Sequence, residues 1–245
     1  LCMTRVCQRR SSPAVTVTML RQMNRISTIL VSGVDAFEFL QGQLTNDLKR
    51  LESESKILAA WCSPKGRVIW LGNVLLVEST FRLSAPSDLA EDIVRRLLIF
   101  RFRAKVKFEI IDEGVTADLA ALISKGHPTI GLEQSEQYTP HMLNLDLLDA
   151  IDFNKGCYTG QEIIARTHYK GATKRRTLKF ESDMPVSPGD KVSHDGQDIG
   201  NVLNVYGTDL LAVIPINKAD GELSVHNAKL NLVALPYLDK AAILA

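Results

Sequence analysis

The chain has 245 residues, of which 45% are hydrophobic and 23% charged. That is the balance of a globular protein with room for one large domain or two to three small ones. With 29 Lys and Arg against 28 Asp and Glu, the formal net charge is +1, which excludes a polyanion binder working through overall charge but not a local basic patch. The longest apolar runs, such as Val68 to Val77, reach about ten residues, too short to span a bilayer. No membrane partner is expected.

Four cysteines (Cys2, Cys7, Cys62 and Cys157) show no CxxC spacing and read as free thiols in a reducing compartment. The five histidines, His127, His141, His168, His194 and His226, form no HxxxH or HExxH pair. A closed zinc or iron–sulfur site built from this chain alone is therefore not expected, and no residue is assigned as a metal ligand.

Before Asp35 the sequence holds no acidic residue, while Arg5, Arg9, Arg10, Arg21 and Arg25 sit among Ser and Thr. Residues 1–25 therefore read as a poorly ordered tail, either a targeting segment or a mis-started leader with initiation at Met19 or Met23. Ile29 to Val31 form a short apolar strand ending at Ser32-Gly33. Asp35 then opens a helix with Phe37, Leu40 and Leu44 on one face. Ile57 to Cys62 and Val68 to Val77 read as strands around the Ser63-Pro64-Lys65-Gly66 turn. Ser87 to Phe100 is a helix with Leu89, Ile93, Leu97 and Phe100 in one stripe, and Lys105 to Ile111 alternates like a strand. This order predicts an α+β fold rather than a doubly wound parallel sheet. From about Thr177, turn signals at Pro188-Gly189, Asp195-Gly196, Gly207-Thr208-Asp209 and Asp220-Gly221 separate short strands. Residues 175–245 are expected to form a separate antiparallel β-barrel, and residues 26–174 one compact α+β region.

Chemistry concentrates in Lys155-Gly156-Cys157-Tyr158-Thr159-Gly160-Gln161-Glu162. Thr159 and Glu162 have capping-box spacing before Ile163 and Ile164, so a helix should start here. Gly156 and Gly160 permit tight or left-handed backbone on either side of Cys157. The thiol then lies ahead of a helix N-terminus, with Lys155 and Arg166 adding positive charge, a setting that favours the thiolate. Cys62, beside Trp61, reads instead as a buried apolar residue.

That octapeptide resembles the signature of the folate-binding YgfZ family, relatives of the T-protein (aminomethyltransferase) of the glycine cleavage system. Further matching pieces follow in order: Gly33 to Ala36, Phe39 to Asp47, Ser63 to Arg67, Pro140 through Asn144-Leu145, Arg166, and Tyr169 to Gly171. The resemblance implies a T-protein-like fold around a central opening that takes tetrahydrofolate. It also implies support of iron–sulfur enzymes, including tRNA-modifying ones, through a reactive Cys157. Trp61 is a candidate for pterin stacking or for core packing, and Lys65 and Arg67 either line the opening or form a plain hairpin turn. Asn144 and Lys170 complete the folate candidates, with the basic run from Arg166 to Arg176 as a funnel for the folate's glutamate tail. The chain departs from the family in two places. The stretch between Asp112 and Gly126 is too short for the usual middle module, so a compacted one is expected. Ser124 and Lys125 stand where relatives carry a pterin-holding glutamate.

Two other functions bear weighing. The resemblance implies that a true aminomethyltransferase carries an aspartate just beyond the Gly66-Arg67 turn, where this sequence has only Val68, Ile69, Trp70, Leu71, Gly72 and Asn73, none able to act as acid or base. An RNA-binding role through the basic runs is not expected, because aromatics make up only 6% of the chain and stacking platforms are few. The expected protein is a monomeric folate-linked factor in the cytoplasm, or alternatively the mitochondrial matrix, with iron–sulfur client or assembly proteins as partners. No acid/base constellation accompanies the thiol, so conventional enzyme status is not expected.

Overall fold

The computed structural model describes residues 25–171 and 173–238. The expectations for residues 1–24, including Cys2 and Cys7, lie outside that range. Five antiparallel strands form the first sheet: β1 (Arg25–Ser32), β2 (Ile57–Cys62), β3 (Val68–Val77), β4 (Thr80–Pro86) and β5 (Lys107–Thr116), in the order β2-β3-β4-β1-β5. Helix α1 (Ala36–Gln41) follows β1, and α2 (Ser87–Phe100) crosses from β4 to β5. The α2 stripe of Leu89, Ile93 and Leu97 is buried against Ile29 and Val31 of β1 and Leu83 of β4, as the 3.6-residue period requires.

Helix α1 is shorter than the sequence suggests. It stops at Gln41, and Leu44 instead makes an isolated bridge to Trp61. The Asp35 carboxylate does not cap its own helix either, but accepts from the Lys105 amide at 2.6 Å, tying the start of α1 to the approach of β5. Strand β5 starts two residues after the expected Lys105 and runs on to Thr116 as a sheet edge.

After α3 (Leu119–Ser124), residues 125–160 contain no β-strand, only short 3-10 helices and turns held by hydrogen bonds. A second core lies beneath them. Ile130, Tyr138, Leu143, Leu145, Ile151 and Tyr158 pack with Cys62 and Val68 on one side and with Leu203, Leu211 and Val213 on the other. The compacted middle segment is thus the glue between sheet and barrel. Helix α4 (Gln161–Lys170) leads out of it into six strands: β6 (Arg175–Ser182), β7 (Lys191–His194), β8 (Gln197–Tyr206), β9 (Asp209–Pro215), β10 (Leu223–Val225) and β11 (Ala228–Val233). They close a barrel in the order β10-β11-β6-β9-β8-β7, with every pair antiparallel. Phe180, Val192, Leu210 and Ile214 fill its interior. Among the described residues, no helix is long and apolar enough to cross a membrane.

Candidate functional site around Cys157

The loop that carries Cys157 is stitched to the segment after α1 from several directions. Lys155 is buried, and its ammonium donates to the carbonyls of Gln41, Leu44 and Asn46 at 2.8, 2.7 and 2.9 Å. It also sits 5.3 Å from the centroid of the Tyr158 ring, within cation–π range. Burial pushes the Lys155 pKa down to about 8, against the upward pull of Asp47 and Asp152. The Thr45 hydroxyl donates to Ala150 O at 2.6 Å, and Asn46 Nδ2 donates to Asp149 O at 2.8 Å. The Thr159 amide reaches Gly42 O at 3.2 Å, while the Thr159 hydroxyl donates to Gln43 Oε1 at 3.1 Å. Asp152 closes the turn before Lys155 by accepting from the amides of Asn154 and Lys155. Two stretches more than a hundred residues apart thus form one hydrogen-bonded unit.

Three expectations need correction here. The Lys155 ammonium makes no hydrogen bond to the thiol; its three protons are committed to backbone carbonyls on the far segment. The capping box does not form either. The N-cap is Gly160 with φ 84°, α4 begins at Gln161, and no side chain caps it. The left-handed glycine turns Thr159 off the helix axis and toward Gln43. Glu162 remains in the first turn, where an acidic side chain suits the helix dipole. Gly156, finally, does not adopt positive φ, and a Cβ added there would meet open space.

Gly160 is different. A Cβ at this position would stand 2.6 Å from Ser63 O and 3.5 Å from Gly66 Cα, so the start of α4 rests directly on the Ser63–Gly66 turn. Gly66, at φ 66°, is closed in by Ile163 from the same helix. Gly160→Ala is therefore expected to cost about 2–3 kcal/mol, from left-handed strain plus a backbone clash. Gly156→Ala should cost almost nothing, and urea unfolding of the two variants side by side checks the contrast.

Cys157 itself is exposed, whereas Cys62 is fully buried in the core and burial pushes its thiol pKa strongly up. Arg166 and Lys170 are exposed on α4, and Lys65 is exposed in the hairpin turn. The other folate candidates have structural work. Trp61 is 1% exposed, stacked edge-on against Phe100 and bonded to Gln43, with no open ring face for a pterin. Asn144 is fully buried at φ 57°, and its amide donates to Thr177 O on β6 at 2.7 Å. Arg67 donates to Gln137 O at 2.9 Å. The basic run is not an open funnel, since Arg175 donates to Ile199 O and Arg176 pairs with Asp146.

A cavity of about 440 Å³ lies elsewhere, between the end of β4, the middle segment and β8, with Asp88, Thr129, Gln134, Gln137, Tyr138 and Asn204 among its walls. None of the sequence-named folate candidates lines it. Its size is that of a small-molecule site. Asp88 Oδ2 already accepts from the Leu132 amide at 3.0 Å, and the carboxylate is exposed to the cavity. In the sequence Asp88 is only an aspartate in the first turn of a helix, which carries no distinguishing local signal.

No family model matches the chain. An uncharacterized protein of Haemophilus influenzae is 27% identical over 88% of this chain and 96% of its own length. That alignment extends over 270 residues, more than this chain contains, so the relative carries residues missing here. The tRNA-modifying protein YgfZ of an Enterobacter species is 26% identical over 84% of this chain and 89% of its own. That of Colwellia psychrerythraea is 23% identical over 85% and 88%. The chain is thus similar over most of its length to the YgfZ tRNA-modifying proteins. The crystal structure of the glycine cleavage system aminomethyltransferase T from Bartonella henselae superposes with a TM-score of 0.64, covering 89% of this chain and 88% of that one at 13% identity. This chain and that aminomethyltransferase thus share one fold. In this chain the octapeptide, the Gln41–Asp47 stretch and the Ser63–Arg67 turn meet in space as one packed unit.

Proposed function

We propose that the protein is a folate-linked factor that supports the assembly or repair of iron–sulfur proteins, tRNA-modifying enzymes among them, with Cys157 as its reacting group. The observation that carries this reading is the exposure of Cys157 on a loop whose neighbours on both sides are pinned. A soft sulfur donor suits iron, and clusters are held by four cysteine ligands or their equivalents. Among the described residues Cys157 is the one exposed cysteine, so any cluster it touches must take its remaining ligands from a client, an assembly protein or small thiols. That requirement makes the factor partner-dependent, and a free reactive thiol suits a reducing compartment, the cytoplasm or the mitochondrial matrix.

Tetrahydrofolate fits the chemistry of the cavity. A pterin presents a row of N–H donors, and the Asp88 carboxylate can accept from them. Gln134, Thr129 and Asn204 add polar contacts, and Tyr138 supplies an aromatic wall. When bound, the cofactor would supply one-carbon chemistry, while the protein's part is to bind and orient it. Titration of the purified protein with tetrahydrofolate is expected to show saturable one-to-one binding. Asp88→Asn should weaken it about tenfold or more, by the loss of charge-assisted hydrogen bonds. Absence of binding by the parent protein would remove folate from the proposal. Aminomethyl transfer is the weaker alternative, because β3 opens on Val68, Ile69 and Trp70 with no carboxylate.

A further inference from the structure

The fold assembles a group of potential ligands that no sequence motif announces. His141 stands in a 3-10 helix (His141–Leu143), Asp146 in the loop just after it, and His168 in the last turn of α4. One donor atom from each lies within 4.8 Å of the others. His141 is 2% exposed, yet neither of its ring nitrogens has a hydrogen-bond partner. A buried imidazole with both nitrogens unmet is a costly rarity unless something else satisfies it.

The surroundings prepare each group for a cation. His141 is held on the 3-10 helix with both ring nitrogens free for a ligand. Asp146 is gripped by Arg176 through two bonds of 3.0 and 2.9 Å. That pairing fixes the carboxylate plane and leaves each oxygen a further lone pair, as outer-shell partners of metal ligands do. The His168 ring is stacked on Phe153 at 3.8 Å and lies 6.0 Å from the His141 ring. Its position at the C-terminal end of α4 also places a cation where the helix dipole favours one.

We propose that His141, Asp146 and His168 form a binding site for a first-row divalent transition ion, with zinc(II) the preferred occupant. Two imidazoles and one carboxylate form an open three-ligand set that leaves a position for water or an outside donor. It differs from the closed site that the histidine spacing argued against. Metal–ligand bonds of about 2.0–2.2 Å bring donors closer together than 4.8 Å, so the exposed His168 swings inward as the ion binds. The ion then fastens the end of α4 to the 3-10 helix and loop around His141 and Asp146, which pack against β6. The site stands independently of the role given to Cys157.

The test uses the full chain, stripped with chelator and titrated with cobalt(II), then with zinc(II) in competition. One equivalent of cobalt is expected, with the ligand-field spectrum of a nitrogen and oxygen set, and zinc should displace it. His168→Phe keeps an aromatic ring on Phe153 but removes the nitrogen donors. Because the residue is exposed, the variant should fold, which circular dichroism verifies, and bind at least about 100-fold more weakly. No binding by the parent, binding that survives His168→Phe, or an intense thiolate-to-cobalt charge-transfer band would each overturn the assignment.

Discussion

Cys157→Ser is expected to abolish the support of iron–sulfur enzymes in cells while leaving the fold unchanged. The substitution exchanges one exposed sulfur for oxygen, next to a Gly156 that faces open space. No packed neighbour registers the change, so the stability effect should stay within about 0.5 kcal/mol. The chemistry, by contrast, is lost. An alcohol is not ionised near neutral pH, is a poor ligand for iron and forms no disulfide. The measurement is complementation of a strain lacking its own copy, scored by the activity of an iron–sulfur enzyme, with thermal unfolding of the purified variant in parallel. Full complementation by the serine protein would take the thiol out of the account. Cys62→Ser is the instructive contrast. Its hydroxyl would be buried in the core, so any loss of function there should follow a loss of stability.

Local pattern and family signature together made much of this molecule legible before any coordinates. Helix α2 matched its expected bounds because a single apolar stripe, Leu89, Ile93 and Leu97, decides both its period and its packing face. The octapeptide marked a loop that the structure packs against the segment after α1. What failed were inferences that treated neighbours in sequence as neighbours in space. Lys155 lies two residues from Cys157, yet its partners are 109 to 114 residues away. Thr159 and Glu162 have the spacing of a capping box, but the close approach of Gly160 to Ser63 shifts the helix start by one residue. Trp61 adjoins a surface turn, and the sheet nevertheless turns its ring inward toward Phe100. His141, Asp146 and His168 have no spacing rule because a helix end and a loop bring them together. Each miss is a tertiary contact overriding a local signal.

Lys155→Met should be the most destabilising single change in the site, costing about 3–5 kcal/mol. Methionine can fill the space of the lysine stem, so the loss would be almost purely polar. It removes the shared donor of three carbonyls, those of Gln41, Leu44 and Asn46, of which the latter two bonds are buried. It also removes the cation over Tyr158. Helix α1 ends at Gln41, and a helix end has carbonyls that need partners. The ammonium meets that need across the fold, a structural reason for lysine at this position that makes no appeal to the thiol. Urea unfolding should show a lower midpoint with an unchanged slope, since the surface exposed on unfolding hardly differs. Limited proteolysis should cut the variant first between Asp152 and Gly160, where the pinning is lost. A cost below about 1 kcal/mol would mean that water reaches the three carbonyls and that the loop is held by Thr45, Asn46 and Thr159 instead.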